Sequence, residues 1–310
     1  MINVLFSAGA GQWDAYRAPL TEALEDAGLP ARIAPDMAPE DVDYIVYSPA
    51  SGVTDFAAFP RLRAVLSLWA GVERIVGNPT LTVPLTRMVD DGLREGMVEW
   101  VTGHVLRHHL GLDRHVATQD GTWLEGSVPP LARHRTVAIL GLGALGQACA
   151  TALAGLNFRV LGWSRTGATL PGAETHAGPE GLAHVLSRAE ILILLLPETP
   201  ATTNLMNAER LALLPPGAVI INPGRGPLID DDALLAALER GHLAHVTLDV
   251  FRQEPLPPGH PFWAHPSVTV TPHIASATRE DTASRIIADN ISRDQKGAQM
   301  RFLVDRSLGY

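Results

Sequence analysis

After Arg135 the chain falls into a strict rhythm. Apolar runs recur at residues 136–140, 159–163, 191–196, 218–222, 244–248 and 268–271. Helical stretches, among them 144–154 and 231–240, separate the first five. A strand with one wet face alternates apolar and polar side chains, whereas a continuous apolar run is buried on both faces. Helical crossovers between such strands make neighbours parallel. The pattern predicts an α/β fold with a doubly wound parallel sheet covered on both sides. Residues 1–95 repeat the theme more weakly, with strands at 3–6, 44–47 and 64–68 and a helix at 13–27 closed by Gly28. A helical pattern at 96–110, GMVEWVTGHVLRHHL, joins the two halves. Past His273 the rhythm stops and leaves one helical stretch, within 279–310, that has no strand to serve. Two domains are therefore expected: residues 96–278, and a discontinuous one built from 1–95 plus 279–310.

Composition excludes several kinds of chemistry. The net charge of −9 argues against a nucleic-acid partner. The longest apolar run, 191–197, is far too short to cross a bilayer, so no membrane partner is expected. The opening MINVLFSAGAGQW lacks the basic start and long apolar core of a secretion signal. A single cysteine, Cys149, allows no intrachain disulfide. Together these point to the cytoplasm. Lys296 is the only lysine and has no tyrosine near it in sequence, which argues against Schiff-base or Tyr-Lys chemistry. No metal is expected: His104 and His108 lie one helical turn apart, but no third ligand is evident nearby.

The chemistry-bearing residues sit where the rhythm turns. Gly141-Leu142-Gly143-Ala144-Leu145-Gly146 follows the first apolar run and opens a helix, the setting in which a GxGxxG turn binds a dinucleotide pyrophosphate. At the end of the next strand an NAD site carries Asp or Glu for the ribose hydroxyls. Here the segment reads Trp163-Ser164-Arg165-Thr166, with no carboxylate. Arg165 can donate to the 2′-phosphate of NADP, with Ser164 and Thr166 assisting. The expected cofactor is NADP(H), with NAD(H) as the alternative. Later strand ends supply Leu196-Pro197, Asn222 through Arg225, Asp249 through Glu254, and His273. Ligands of such sheets bind beyond the carboxyl ends of the strands, so arginine, acid and histidine gather at one rim.

These residues carry a resemblance. The stretches LWAGVERI, GLGALGQ, LLLPETPATTNL, INPGRGPLIDDDALLAAL and LDVFRQEPLPPGHPFWAHPSVTVTPHIA are similar to the D-isomer-specific 2-hydroxyacid dehydrogenases over nearly the whole chain. WSRT, GMVEW and the ending VDRSLGY resemble the glyoxylate/hydroxypyruvate reductase A subgroup. The resemblance implies two Rossmann-like domains, a discontinuous substrate domain and a homodimer. It implies Arg225, Glu254 and His273 as the catalytic set and Asp249 near the nicotinamide amide. Leu196, Pro197, Thr202 and Asn222 complete the cofactor contacts. Gly71 and Val72 match the loop whose backbone N–H groups hold a substrate carboxylate. Trp69 stands in that loop where a small residue is expected, which points to a narrowed or reshaped pocket; Glu73 and Pro223-Gly224 also depart from the family pattern.

The implied reaction follows from charge. Hydride transfer to a ketone carbon builds negative charge on its oxygen, which His273 can protonate as general acid. Glu254 would orient the imidazole and favour its charged form, and Arg225 would hold carboxylate and carbonyl oxygens. The expected substrate is a small 2-keto acid of the glyoxylate/hydroxypyruvate type. The alternatives are a larger 2-keto or 2-hydroxy acid on the same fold, or a non-catalytic dinucleotide sensor.

Overall fold

The structure is a computed structural model and describes all residues except Ala10, Leu124 and Ser127. The stretch Ser7-Ala8-Gly9-Ala10-Gly11, which could cradle a phosphate but reads better as a tight turn between strand and helix, includes Ala10 and so lies partly outside the described residues. The chain divides into two compact units, Met1–Leu93 with Ala277–Tyr310, and Arg94–Ser276. The sequence placed these cuts at 95/96 and 278/279.

In the first unit β1 (Ile2–Ser7), α1 (Trp13–Asp26), β2 (Ala31–Ala34), β3 (Tyr44–Tyr47), β4 (Ala64–Ser67) and β5 (Leu85–Thr86) follow in chain order. The strands form a parallel sheet in the order β2-β1-β3-β4-β5. Two strands here, β2 and β5, were not legible in the sequence. One is a four-residue edge with a charged centre, ARIA, and the other is two residues long. The apolar runs do bury both faces. Val4, Phe6 and Val46 pack to one side with Leu20 and Leu24 of α1, while Leu5, Ile45 and Val65 pack to the other with Phe56 and Ile75.

The second unit begins within α2 (Asp91–Leu110), which starts five residues earlier than its apolar pattern, and continues through α3 (Leu112–Ala117). Then come β6 (Thr136–Leu140), α4 (Ala144–Gly155), β7 (Arg159–Ser164), β8 (Ala173–Ala177), α5 (Gly178–Leu186) and β9 (Ile191–Leu194). The unit closes with α6 (Ala208–Leu211), β10 (Ala218–Asn222), α7 (Asp231–Glu239), β11 (Leu243–Leu248) and β12 (Val268–Val270). All seven strands are parallel, in the order β12-β11-β10-β9-β6-β7-β8. The order reverses between β6 and β9, and ligands bind at such a switch point. Strand β8, AETHA, is the one missed by the sequence reading; it is an edge with little apolar content. Period-two alternation is plain in β6: Val137 and Ile139 join the core under α2 and α4, Ala138 and Leu140 the core under α5 and α7.

The last helix, α8 (Glu280–Gln295), belongs to the first unit. Its Ala283, Ile287, Ala288 and Ile291 are buried with Val4, Tyr16 and Leu20. Each isoleucine so buried stabilises by roughly 1.5–3 kcal/mol. Polar contacts fix its end: Tyr44 Oη donates to Asp294, and Arg63 Nε reaches the same carboxylate at 2.7 Å. No helix among the described residues is long and apolar enough to cross a membrane.

The histidines of α2 serve packing. His104 packs against Trp100 with ring centroids 4.2 Å apart and ring planes tilted by 51°, and His108 Nε2 lies 2.9 Å from Thr247 Oγ1. Burial, with His245 and Arg107 beside it, pushes the His108 imidazole down to about 3. The unfolded chain protonates this ring near its ordinary value of about 6.5. Between the two values the unfolded state therefore binds more protons. The stabilisation is complete above about pH 6.5 and is lost as pH falls toward 3, at up to about 1.4 kcal/mol per pH unit. His108→Gln should flatten this part of the acid limb in chemical denaturation. Parallel acid slopes in the two proteins would rule His108 out as its source.

Candidate active site

The glycine turn after β6 is built as its spacing predicts. Gly141 has φ +105°, and a Cβ there would fall 2.4 Å from the Leu195 carbonyl oxygen at the end of β9. A Cβ on Gly146 would sit 1.8 Å from the Gly141 oxygen, so only glycine lets α4 approach its strand. Gly143, the N-cap of α4, has no atom within 4 Å of the Cβ it lacks. The first and third glycines thus hold backbone against backbone, while the second faces open space. Helix α4 closes its first turn with Gln147 N–H donating to Gly143 O at 2.9 Å. The N–H groups of Ala144, Leu145 and Gly146 precede that bond and point out of the helix start, where an anion is favoured.

Strand β7 ends at Ser164, whose Oγ is buried and has no hydrogen-bond partner among the described residues. Arg165 and Thr166 follow it, both exposed. A buried hydroxyl without a partner is costly, and it lies one residue from a guanidinium. The residues therefore fit an anionic group at the position where a dinucleotide carries its adenosine ribose. The open Gly143 and the helix start fit the pyrophosphate.

The loops after β9, β10 and β11 are braced from within. Thr202 Oγ1 donates to Pro197 O at 2.7 Å and accepts from Thr199 N–H at 2.8 Å, which folds the segment after Leu196-Pro197 back on itself. Asn222 is buried; its Oδ1 accepts from Gly224 N–H at 3.1 Å and its Nδ2 donates to Arg225 O at 2.9 Å. The side chains of Thr202 and Asn222 are thus engaged by their own loops, and what they contribute here is loop shape. Arg225 caps a short 3₁₀ turn, and a Cβ on the next residue, Gly226, would fall 2.0 Å from the Phe251 carbonyl carbon. The Arg225 loop therefore lies directly on the segment that carries Glu254.

The histidine is held by the same segment. His273 Nδ1 and Glu254 Oε2 are 2.7 Å apart, and the other carboxylate oxygen accepts from Phe251 N–H at 2.9 Å. His273 adopts φ +55°, a left-handed conformation that costs a non-glycine residue about 1–2 kcal/mol. Its N–H donates to Asp249 O at 2.9 Å. Asp249 is fully buried: Oδ1 accepts from Thr271 Oγ1 at 2.6 Å and Ile274 N–H at 2.9 Å, and Oδ2 from Ala275 N–H at 2.8 Å. Asp249 thus clamps both sides of His273. Thr271 is the site residue that sequence reading passed over; its only signal was a hydroxyl two residues before the histidine at a strand end.

In the first unit Gly71 and Val72 follow β4. Val72 is buried, and its carbonyl accepts from Ile75 and Val76 N–H. Trp69 is 44% exposed while its backbone is pinned: Ser67 Oγ accepts from Trp69 N–H, and Met88 N–H donates to Trp69 O.

Residues 102–275 match the family model described as D-isomer specific 2-hydroxyacid dehydrogenase, NAD binding domain. The chain belongs to that family. It is 36% identical, over the full length of both chains, to glyoxylate/hydroxypyruvate reductase A of Serratia proteamaculans. A D-isomer specific 2-hydroxyacid dehydrogenase from Xanthobacter autotrophicus Py2, in complex with NADPH and MES, superposes with a TM-score of 0.92. It is 41% identical, with 100% of this chain and 99% of that one covered. The NADPH-dependent glyoxylate/hydroxypyruvate reductase of Sinorhizobium meliloti, in complex with NADP and sulfate, gives 0.89 at 34% identity, each chain covered in full.

The clamp makes a prediction. In Asp249→Asn an amide NH₂ must face backbone N–H donors, leaving at least one buried donor without an acceptor. The expected loss is about 1–3 kcal/mol in denaturant unfolding, with faster hydrogen exchange at Ile274 and Ala275. Unchanged exchange at those two amides would mean that Asp249 does not hold the loop.

Proposed function

We propose that this chain reduces a small 2-keto acid of the glyoxylate/hydroxypyruvate type to the 2-hydroxy acid, preferring NADP(H) over NAD(H). The observation that carries the reading is the Glu254–His273 pair at 2.7 Å, on a strained histidine beyond the carboxyl ends of a parallel sheet. The Serratia and Sinorhizobium relatives carry the same activity in their names.

The residues divide the work by charge. NADPH, when bound, supplies the hydride. The ketone oxygen then gains negative charge, and His273 delivers a proton to it from Nε2, leaving a neutral ring and a hydroxyl. Glu254 keeps the ring oriented through Nδ1. Arg225 holds the substrate oxygens in a fixed geometry. In this reading the second unit is the dinucleotide-binding domain, 96–278 by the sequence boundaries, and the first, 1–95 plus 279–310, is the substrate domain. Gly71 and Val72 hold the carboxylate through backbone N–H groups, neither of which has a protein acceptor among the described residues. Trp69 limits substrate size. The cofactor rests on Gly141, Gly143, Ala144, Leu145 and Gly146, with Leu196, Pro197, Thr202, Asn222 and Asp249 shaping its nicotinamide end.

His273→Ala should lower kcat for glyoxylate reduction by roughly 10²- to 10⁴-fold with little change in cofactor affinity. Near-normal turnover would remove His273 from the mechanism. No turnover of any 2-keto acid by the unmodified protein, with either cofactor, would favour the dinucleotide sensor.

Cofactor choice rests on Ser164, Arg165 and Thr166. A guanidinium has only donors, so it cannot accept from ribose hydroxyls but can bind a phosphate. A charged hydrogen bond of this kind is worth about 1.5–3 kcal/mol, or about 10- to 150-fold in affinity. Arg165→Ala should weaken NADPH by that factor and NADH far less. Equal kcat/KM for the two cofactors in the unmodified protein would sink the NADP preference.

The same reading includes a homodimer and a cytoplasmic location. Supporting the dimer, Leu112, Val116, Trp123, Val128 and Leu131 expose large apolar side chains within 20 residues of chain after α2. Such a run on a monomer would be an aggregation hazard; a second copy covers it at the cost of no new sequence. Trp123→Asp combined with Val128→Asp should halve the mass measured by light scattering. An unmodified protein that is already monomeric would refute the dimer.

A further inference from the structure

Away from the strand-end loops, three ligand-type side chains converge at the far edge of the second sheet. Glu174 and His176 are two apart on β8, so they project from the same face of the strand. Strand β8 runs into α5 without a connecting loop, and the helix brings His184 back over that face. Glu174 Oε1 lies 2.8 Å from His176 Nε2 and 3.3 Å from His184 Nε2, and the three ligand atoms are all within 4.8 Å of one another. The imidazole centroids are 4.5 Å apart. We propose that Glu174, His176 and His184 form a surface site for a borderline divalent transition ion such as Zn²⁺, which fastens edge strand β8 to helix α5.

Three observations carry the assignment. The first is the donor set: two imidazoles and one carboxylate suit Zn²⁺ and its neighbours, whereas Mg²⁺ and Ca²⁺ take oxygen ligands. The second is spacing. An ion about 2.0–2.2 Å from each ligand in tetrahedral geometry needs ligand atoms roughly 3.4 Å apart. The present separations reach that by small rotations of half-exposed side chains, with water completing the shell. The third is what now occupies the focus. Arg188 Nη1 lies 2.6 Å from Glu174 Oε1 and 2.8 Å from His184 Nε2. Arginine only donates, so His184 Nε2 accepts and carries a lone pair. That lone pair and a carboxylate oxygen, 3.3 Å apart, share one cation. This is the arrangement a metal requires, with a guanidinium standing in for it. The Arg188 side chain is 42% exposed, and an exposed ion pair of this kind is worth little, so it can turn into water when an ion enters. His176, which donates to Glu174 through Nε2 in the metal-free pair, ligates through the same atom once that proton is released.

The test uses the full chain stripped of metal and titrated with ZnCl₂ by calorimetry, with Co²⁺ absorption as the spectroscopic probe. One ion per chain is expected, with a tetrahedral Co²⁺ spectrum and a higher Tm in the presence of Zn²⁺. His176→Ala and His184→Ala should each weaken Zn²⁺ by at least about tenfold, since losing even an outer partner of a ligand costs about that much. Arg188→Gln should tighten it about fivefold, because a positive charge about 5 Å from the ion is removed in screened solvent. The proposal is overturned if Zn²⁺ does not bind saturably. Affinity unchanged in both histidine variants, or weaker binding in Arg188→Gln, also overturns it.

Discussion

Parallel pairing is the constraint on which the rest of this chain depends. Seven strands hydrogen-bonded side by side in one direction must end at one edge, whatever their separation in sequence. Gly141, Ser164, Pro197, Arg225, Glu254 and His273 lie more than a hundred residues apart end to end, yet each lies at or beyond the carboxyl end of a strand of one sheet. The cost is that each returning connection must cross a face, and the cores on both faces, Val137 and Ile139 on one and Ala138 and Leu140 on the other, offset it by burying those crossovers. Hydrophobic pattern is thus upstream of the chemistry: it makes the ladder, and the ladder makes the rim.

A rim of loops is not yet a site, because loops carry backbone groups that water would otherwise satisfy. Here polar side chains close them internally. Asn222 spans its own turn, Thr202 folds the segment after Pro197, and the Asp249 carboxylate collects a hydroxyl and two N–H groups around His273. These bonds over-determine the backbone and hold His273 at its positive φ. A histidine fixed in this way has little conformational freedom left to lose, which is the physical content of preorganisation.

Legibility differed by kind of residue. Strands buried on both faces announced themselves, since only continuous apolar runs of that length fit the interior of a parallel sheet. The edges β2, β5 and β8 did not, because an edge strand needs less apolar content and its pairing is decided by the neighbour. Glycines at 141 and 146 were legible because backbone contact forbids any side chain there. Thr271 was not, since a hydroxyl at a strand end is common and only the position of Asp249 gives it work. The Glu174, His176 and His184 cluster was invisible for a related reason: its third member comes from a helix whose return over β8 is set by packing of Leu182, Val185 and Leu186.

The sequence by itself determined the class of fold, the glycine turn and the residue types at the strand ends, because each is imposed by local sterics or by burial. Only the tertiary structure decided that Asp249 faces inward to clamp His273, and that Arg188 fills the focus of a histidine-carboxylate cluster. Those contacts join different elements and loops, and their geometry follows from strand order and helix return, which no local pattern encodes.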